Sequence, residues 1–180
     1  MGTKTHATIA DLSKVEGKAE LVNGEIVRMA PTGGVPGRAG GSIDARLLQY
    51  ERQHRNGYAF PDNVGFIVPL PHRQSLSPDA AWDVGDVNRR FPEGAPIFAV
   101  EVRSEPDYGP AAERARQEKH ADYFACGTLV VWDVDLLSEA VIKSYNASAP
   151  DHPVIFRHGD IADAAPAVPG WWIAVDELFG

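Results

Sequence analysis

The spacing of apolar and polar positions changes period along this chain, and each change marks an element. Between positions 19 and 31, AELVNGEIVRMAP sets two apolar runs around Asn23-Gly24. That pair tolerates φ > 0 at both central positions of a type I′ turn, so the segment predicts a β-hairpin. TGGVPGRAGGS (32–42) holds too many glycines for a regular element and is expected to be a mobile loop, able to act as a lid. SIDARLLQYERQH (42–54) spaces Ile43, Leu47, Leu48 and Tyr50 as one helical face, with Ser42 or Asp44 as a cap. The runs YAFPD, VGFIVPL, DAAWDV and IFAVEVRS, broken by Pro- and Gly-containing turns, predict strands of a sheet.

GPAAERARQEKHADYFACG (109–127) starts with Pro110 in its first turn and stops at Gly127, the proline-first, glycine-last asymmetry of a helix. TLVVWDVD is almost continuously apolar and predicts a central strand, with EAVIKSYN as its neighbour at the sheet edge. The tail PGWWIAVDELFG is expected to bring its aromatics onto the core. No internal repeat or linker divides the chain, so residues 1–180 read as one α/β (α+β) domain.

Seventeen basic against 25 acidic residues give a net charge of −8, which opposes nonspecific adhesion to nucleic acid or anionic membranes. Any nucleic-acid contact must then come from a local patch. No run approaches the roughly 20 apolar residues of a membrane span. The single cysteine, Cys126, forms no intrachain disulfide, and MGTKTHATIADLSK lacks an apolar signal core, so a cytoplasmic chain is expected. One cysteine and six scattered histidines offer no thiol or imidazole spacing for structural zinc.

Two carboxylates stand out against this background. In SPDAAWDV (77–84), alternation puts Asp79, Ala81 and Asp83 on one face. In IFAVEVRS (97–104) it puts Ala99, Glu101 and Arg103 on one face and Phe98, Val100 and Val102 on the other. A glutamate between valines is costly to bury unless paired, hydrogen-bonded or bound to a metal. If the two strands pair, Asp79 and Glu101 approach each other and require a proton or a cation between them. Such an oxygen-only set suits Mg²⁺ or Mn²⁺ and phosphodiester chemistry. An ion pair of Glu101 with Arg103 on a solvated face, with Asp79 as a turn residue, is the structural alternative.

Pro78-Asp79 followed by Glu101-Val102-Arg103 resembles the PD-(D/E)XK motif of restriction-endonuclease-like nucleases, with arginine where lysine is usual. Across roughly residues 10 to 178 the chain resembles the Uma-type endonuclease family. AELVNGEIVRMAP looks like that family's opening hairpin, SPDAAWDV and FAVEVRSEPD like its acidic strands, and EKHADYFACGTLVVWDVD like its helix and following strand. The resemblance implies a mixed central sheet flanked by helices, and a metal-dependent nuclease. It moves the motif lysine to the helix, at Lys119, and offers Glu20 as a further metal ligand beside Asp79 and Glu101. Spacing agrees to the extent that Arg116, Lys119, His120 and Tyr123 share a helix face.

Arg103 is the competing cation; its pKa above about 12 rules out general-base work, leaving it to clamp phosphate. Where the family commonly carries a histidine after the MAP-like segment, this chain has glycines, with Arg38 as the polar candidate. Arg38, Arg116 and Tyr123 are the expected substrate contacts, with Arg46 adding to a basic groove. DNA is the expected partner, with no membrane, and a homodimer is an allowed assembly. The competing readings are a catalytically inert nuclease-fold module and a metal-dependent hydrolase of a small phosphoester. The remaining residues read as structural: the tryptophans and Phe179 as core or interface, Cys126 as a small buried group, and Asp133 and Asp135 as turn residues.

Overall fold

The structure, a computed structural model, describes residues 6–180. Its elements run α1 (Ile9–Leu12), β1 (Ala19–Val22), β2 (Glu25–Arg28), α2 (Gly34–His54), β3 (Tyr58–Phe60), β4 (Phe66–Ile67), β5 (Ser75–Leu76), β6 (Ala80–Asp83), β7 (Phe98–Val102), α3 (Pro110–Ala125), β8 (Val130–Val134), β9 (Ile142–Asn146), β10 (Ala149–Phe156), β11 (Ile161–Ala164) and β12 (Val168–Ala174). Six strands form the central sheet in the order β10-β9-β8-β7-β6-β3. β7 and β8 are parallel, joined by the α3 crossover, and the other pairs are antiparallel, which makes the sheet mixed.

The hairpin β1–β2 closes through Asn23 and Gly24, both at positive φ (51° and 71°), as a type I′ turn demands. β7 and β8 are buried along their whole length. Their apolar residues suit central strands covered on both faces, with one buried acidic residue in each, Glu101 and Asp133. Trp82, Phe98, Val100 and Trp132 face α2 and β12, where Ile43, Leu47, Trp171 and Ile173 complete the main core. Ala99 and Val131 face the other way, toward Tyr123 of α3 and Leu76. Gly57 fits here because a Cβ would stand 2.5 Å from the Trp82 ring.

Three expectations are corrected. The glycine-rich stretch is not a loop: it is the first part of α2, which begins at Gly34 with Gly33 as N-cap, so neither Ser42 nor Asp44 caps it. Pro36 lies in the first turn, where a missing N–H is tolerated. Ala39 and Gly40 are buried, and a Cβ on Gly40 would stand 3.8 Å from the Asp79 Cβ and 3.9 Å from Val102 Cγ2. The helix thus lies close against the ends of β6 and β7, at a distance where even a Cβ would make ordinary contact, and this tertiary packing carries the helix through glycines whose propensity is about 1 kcal/mol poorer than alanine.

The second correction concerns the sheet edge, which is formed by β10; β9 lies one place inward. Pro150 and Pro153 obscure β10 in the sequence, yet an edge strand with a shifted register tolerates prolines. Third, the tail does not bury all its aromatics: Trp171 is buried, but Trp172 and Phe179 are exposed. No helix among the described residues is long and apolar enough to cross a membrane.

Candidate active site

Asp79 stands one residue before β6. Its N–H donates to the Val100 carbonyl at 2.9 Å, and its Oδ2 accepts the Val102 N–H at 2.6 Å. The aspartate thereby ends the ladder between β6 and β7, its side chain replacing a strand carbonyl. The pairing Ala80↔Val100, continued by one residue, sets Asp79 directly opposite Glu101. Adjacent strands bring the two carboxylates together, as parity predicted.

Each carboxylate is met by a lysine. Lys119 of α3 places its Nζ 2.8 Å from Glu101 Oε1 and 2.9 Å from Glu20 Oε1. Lys18, just before β1, places its Nζ 2.5 Å from Asp79 Oδ1 and 2.7 Å from Asp62 Oδ1. The buried Tyr123 hydroxyl donates to Glu101 Oε1 at 2.7 Å. Burial alone would raise the Glu101 carboxyl, but the ammonium groups of Lys119 and Lys18, with the Tyr123 hydroxyl, outweigh it and hold it at about 2. Asp79 goes the other way: burial and the facing Glu101 charge raise it above the usual carboxylate range despite Lys18. Burial works against the charge on Lys119 and on Lys18, yet the carboxylates beside them raise both above the ordinary lysine value.

Glu20 is buried on β1 and fully engaged. Its Oε1 accepts the Ser77 N–H at 2.8 Å as well as Lys119, and its Oε2 accepts Arg73 Nη1 at 2.6 Å. Arg73 also donates to Asp122 Oδ2 at 2.6 Å, and His72 Nε2 lies 2.7 Å from Asp122 Oδ1. No group of three acidic, histidine or cysteine side chains able to hold a metal occurs among the described residues, so Glu20 is not gathered with Asp79 and Glu101 into one ligand set. Its donors fix it instead as an anchor for Lys119.

Lys18, Glu20, Arg73, Asp79, Glu101 and Lys119 line a cleft of about 600 Å³ between the hairpin, the sheet end and α3. Five cations line it (Lys18, Arg28, Arg73, Arg116 and Lys119) against four carboxylates (Glu20, Asp79, Glu101 and Asp107), and three more carboxylates just behind the lining, Asp62, Asp122 and Asp133, pair with Lys18, Arg73 and Arg116, so the cleft is a dense network of paired charges rather than a positive surface. Arg116 also lines it, with Nη1 3.5 Å from Asp133 and Nη2 3.6 Å from Asp107. His120 also lines it, and burial lowers its imidazole to about 4, leaving it neutral at pH 7.

Other candidates are placed elsewhere. Arg103 is buried and donates through Nε and Nη2 to the two oxygens of Asp133 at 2.9 and 2.6 Å, and to Glu113. With its fork occupied, it is not positioned to clamp a phosphate. Asp133, expected at a turn, is buried within β8 opposite Glu101 and is the partner that claims Arg103. Tyr123, expected to touch substrate, is fully buried and serves Glu101. Arg38 is exposed beside Gly180, and Arg46 pairs with Glu177 at 2.8 Å; neither lines the cleft.

Lys18 and Arg73 were missed by the sequence reading. Lys18 had a signal, since period 2 puts it on the face of Glu20. Arg73 lies in an irregular segment with no such signal.

A mixed sheet with helices packed on it, and paired carboxylates beside a helix-borne lysine at one end, defines a restriction-endonuclease-like fold. The crystal structure of a "putative nuclease belonging to DUF820" from Anabaena variabilis ATCC 29413 has that fold in common with this chain: the TM-score is 0.73 at 16% identity, over 96% of this chain and 97% of the other. The chain belongs to the Uma2 family, described as "Putative restriction endonuclease", which it matches over residues 8–176. No curated protein matches the sequence.

Proposed function

We propose that this protein is a divalent-metal-dependent nuclease that hydrolyses phosphodiester bonds in DNA. The observation that carries the reading is the juxtaposition of Asp79 and Glu101 on paired strands, with Lys119 on Glu101, in a cleft of about 600 Å³. Family membership supports the nuclease class. The donor set fits the metal: two carboxylates present hard oxygen ligands, and Mg²⁺ commonly binds through one or two carboxylates while keeping several waters. Asp79 and Glu101 would hold it. When bound, such an ion lowers the pKa of a coordinated water and neutralises charge on the phosphate.

The chain's own residues supply the rest. Lys119 keeps its proton, because its pKa is raised, and acts by setting its positive Nζ against negative charge on the phosphate rather than by accepting a proton. Tyr123 orients Glu101, Glu20 orients Lys119, and Arg116 meets the phosphate backbone. With the chain at −8, contact with the DNA backbone would fall to the cations of the cleft, of which Arg28 is exposed. The saturated ion pairs favour a second reading, an inert binding module, since each carboxylate already has a lysine counter-ion.

Cleavage of single- and double-stranded DNA with Mg²⁺ or Mn²⁺ separates the two. Wild type should cut, and more weakly as salt rises. Asp79→Ala should be inert, and Lys119→Ala slower by about 10²–10³. A wild type inert on both DNA forms would refute the proposal, and if it then hydrolysed a small phosphodiester the competing reading, a metal-dependent hydrolase of a small phosphoester, would replace it.

A further inference from the structure

We infer that Lys18 is a tethered counter-ion that bridges Asp79 and Asp62, occupies the cation position at Asp79, and retracts onto Asp62 alone when a divalent ion binds. The inference rests on reading Asp79 and Glu101 as the metal ligands. Lys18 is fixed at its backbone, where its carbonyl accepts the Met29 N–H at 3.0 Å, while four methylenes leave its ammonium free to reposition. The ammonium lies in a largely desolvated place: 13% of the Lys18 side chain and 15% of the Asp79 side chain are exposed. There it pairs directly with Asp79, and its charge is also felt by Glu101 across the strand pair. Two facing carboxylates without such a charge would repel each other in the metal-free protein.

Asp62 is the partner that remains when Asp79 is released. Its Oδ1 is 2.7 Å from the same ammonium, and its side chain is half exposed, on the solvent side of the contact. Lys18 can therefore release Asp79 without becoming an unpaired buried cation, which a lysine with a single partner could not do at low cost. Lys119 has no such freedom, because both of its partners, Glu20 and Glu101, are buried. The two lysines thus divide the work: Lys119 stays with the site, and Lys18 yields its place to the metal.

Calorimetric titration of the full chain with Mn²⁺ tests this, using wild type, Lys18→Met, Lys18→Gln and Asp79→Asn. If Lys18 holds Asp79 about nine-tenths of the time, removing it should tighten Mn²⁺ binding about tenfold. The Gln variant keeps polarity should Met impair folding. In parallel, the Lys18 ε-methylene signal, assigned by its absence in Lys18→Gln, should shift on Mg²⁺ saturation in wild type. Equal or weaker Mn²⁺ binding in the Lys18 variants, or an unmoved signal, overturns the inference but leaves the metal site intact, provided Asp79→Asn abolishes wild-type binding. Absence of binding in every variant overturns the metal reading as well.

Discussion

Glu101→Gln isolates how much the buried charge network contributes to folding. The substitution keeps the shape of the side chain and removes the charge that Lys119 meets at 2.8 Å and Tyr123 at 2.7 Å. The folded carboxyl stands at about 2 against an ordinary 4.5. At about 1.4 kcal/mol per pH unit, that gap corresponds to about 3 kcal/mol of stability. Because the folded value is the lower one, this stability is fully present above pH 4.5 and is lost as pH falls toward 2. Relief of the repulsion at Asp79 returns part of the loss, so about 3 kcal/mol is the upper figure. Urea unfolding of wild type and variant with a chelator, at pH 7, 5 and 3, reads it. The gap between the two should be largest at pH 7 and 5 and shrink at pH 3. A gap that does not change with pH, or a variant as stable as wild type at pH 7, would refute the account of Glu101 as a charge held by its lysines.

Two further outcomes probe the surrounding frame. Arg103→Met should lower stability by about 3–5 kcal/mol, because Asp133 is left as a buried charge without its principal partner; restoring most of that with Asp133→Asn in the same chain would show that the pair is structural. Gly57→Ala should cost about 1–3 kcal/mol, measured by thermal melting, since its Cβ would stand 2.5 Å from the Trp82 ring and 2.8 Å from the Asp83 carbonyl.

Much of the frame is written locally. Asn23-Gly24 specify the hairpin because few residue pairs accept two positive φ values. Pro110 and Gly127 bound α3 because each suits one end of a helix and disfavours its interior. Period 2 sends Glu101 to the face opposite Val100 and Val102, and the same rule sets Asp79 across from it once β6 and β7 pair. These are properties of short segments, so they can be read without the fold.

What the tertiary structure decided is which charge meets which. Arg103 and Lys119 were both candidates beside Glu101, and nothing in their own segments separates them. The parallel neighbour β8 does, by placing Asp133 where it captures the Arg103 guanidinium and leaves Glu101 to the lysine arriving from α3. The glycines of α2 read as a loop because propensity is a local preference of about 1 kcal/mol, whereas the contact of Gly40 with the ends of β6 and β7 is a packing term that exists only in the folded chain. Lys18 and Arg73 meet partners 61 and 53 residues away in the chain, Asp79 and Glu20 respectively. Side-chain alternation assigns a residue to a face, but long-range Coulomb and hydrogen-bond partners follow from how the elements are assembled, and that assembly made two carboxylates and two lysines into one site.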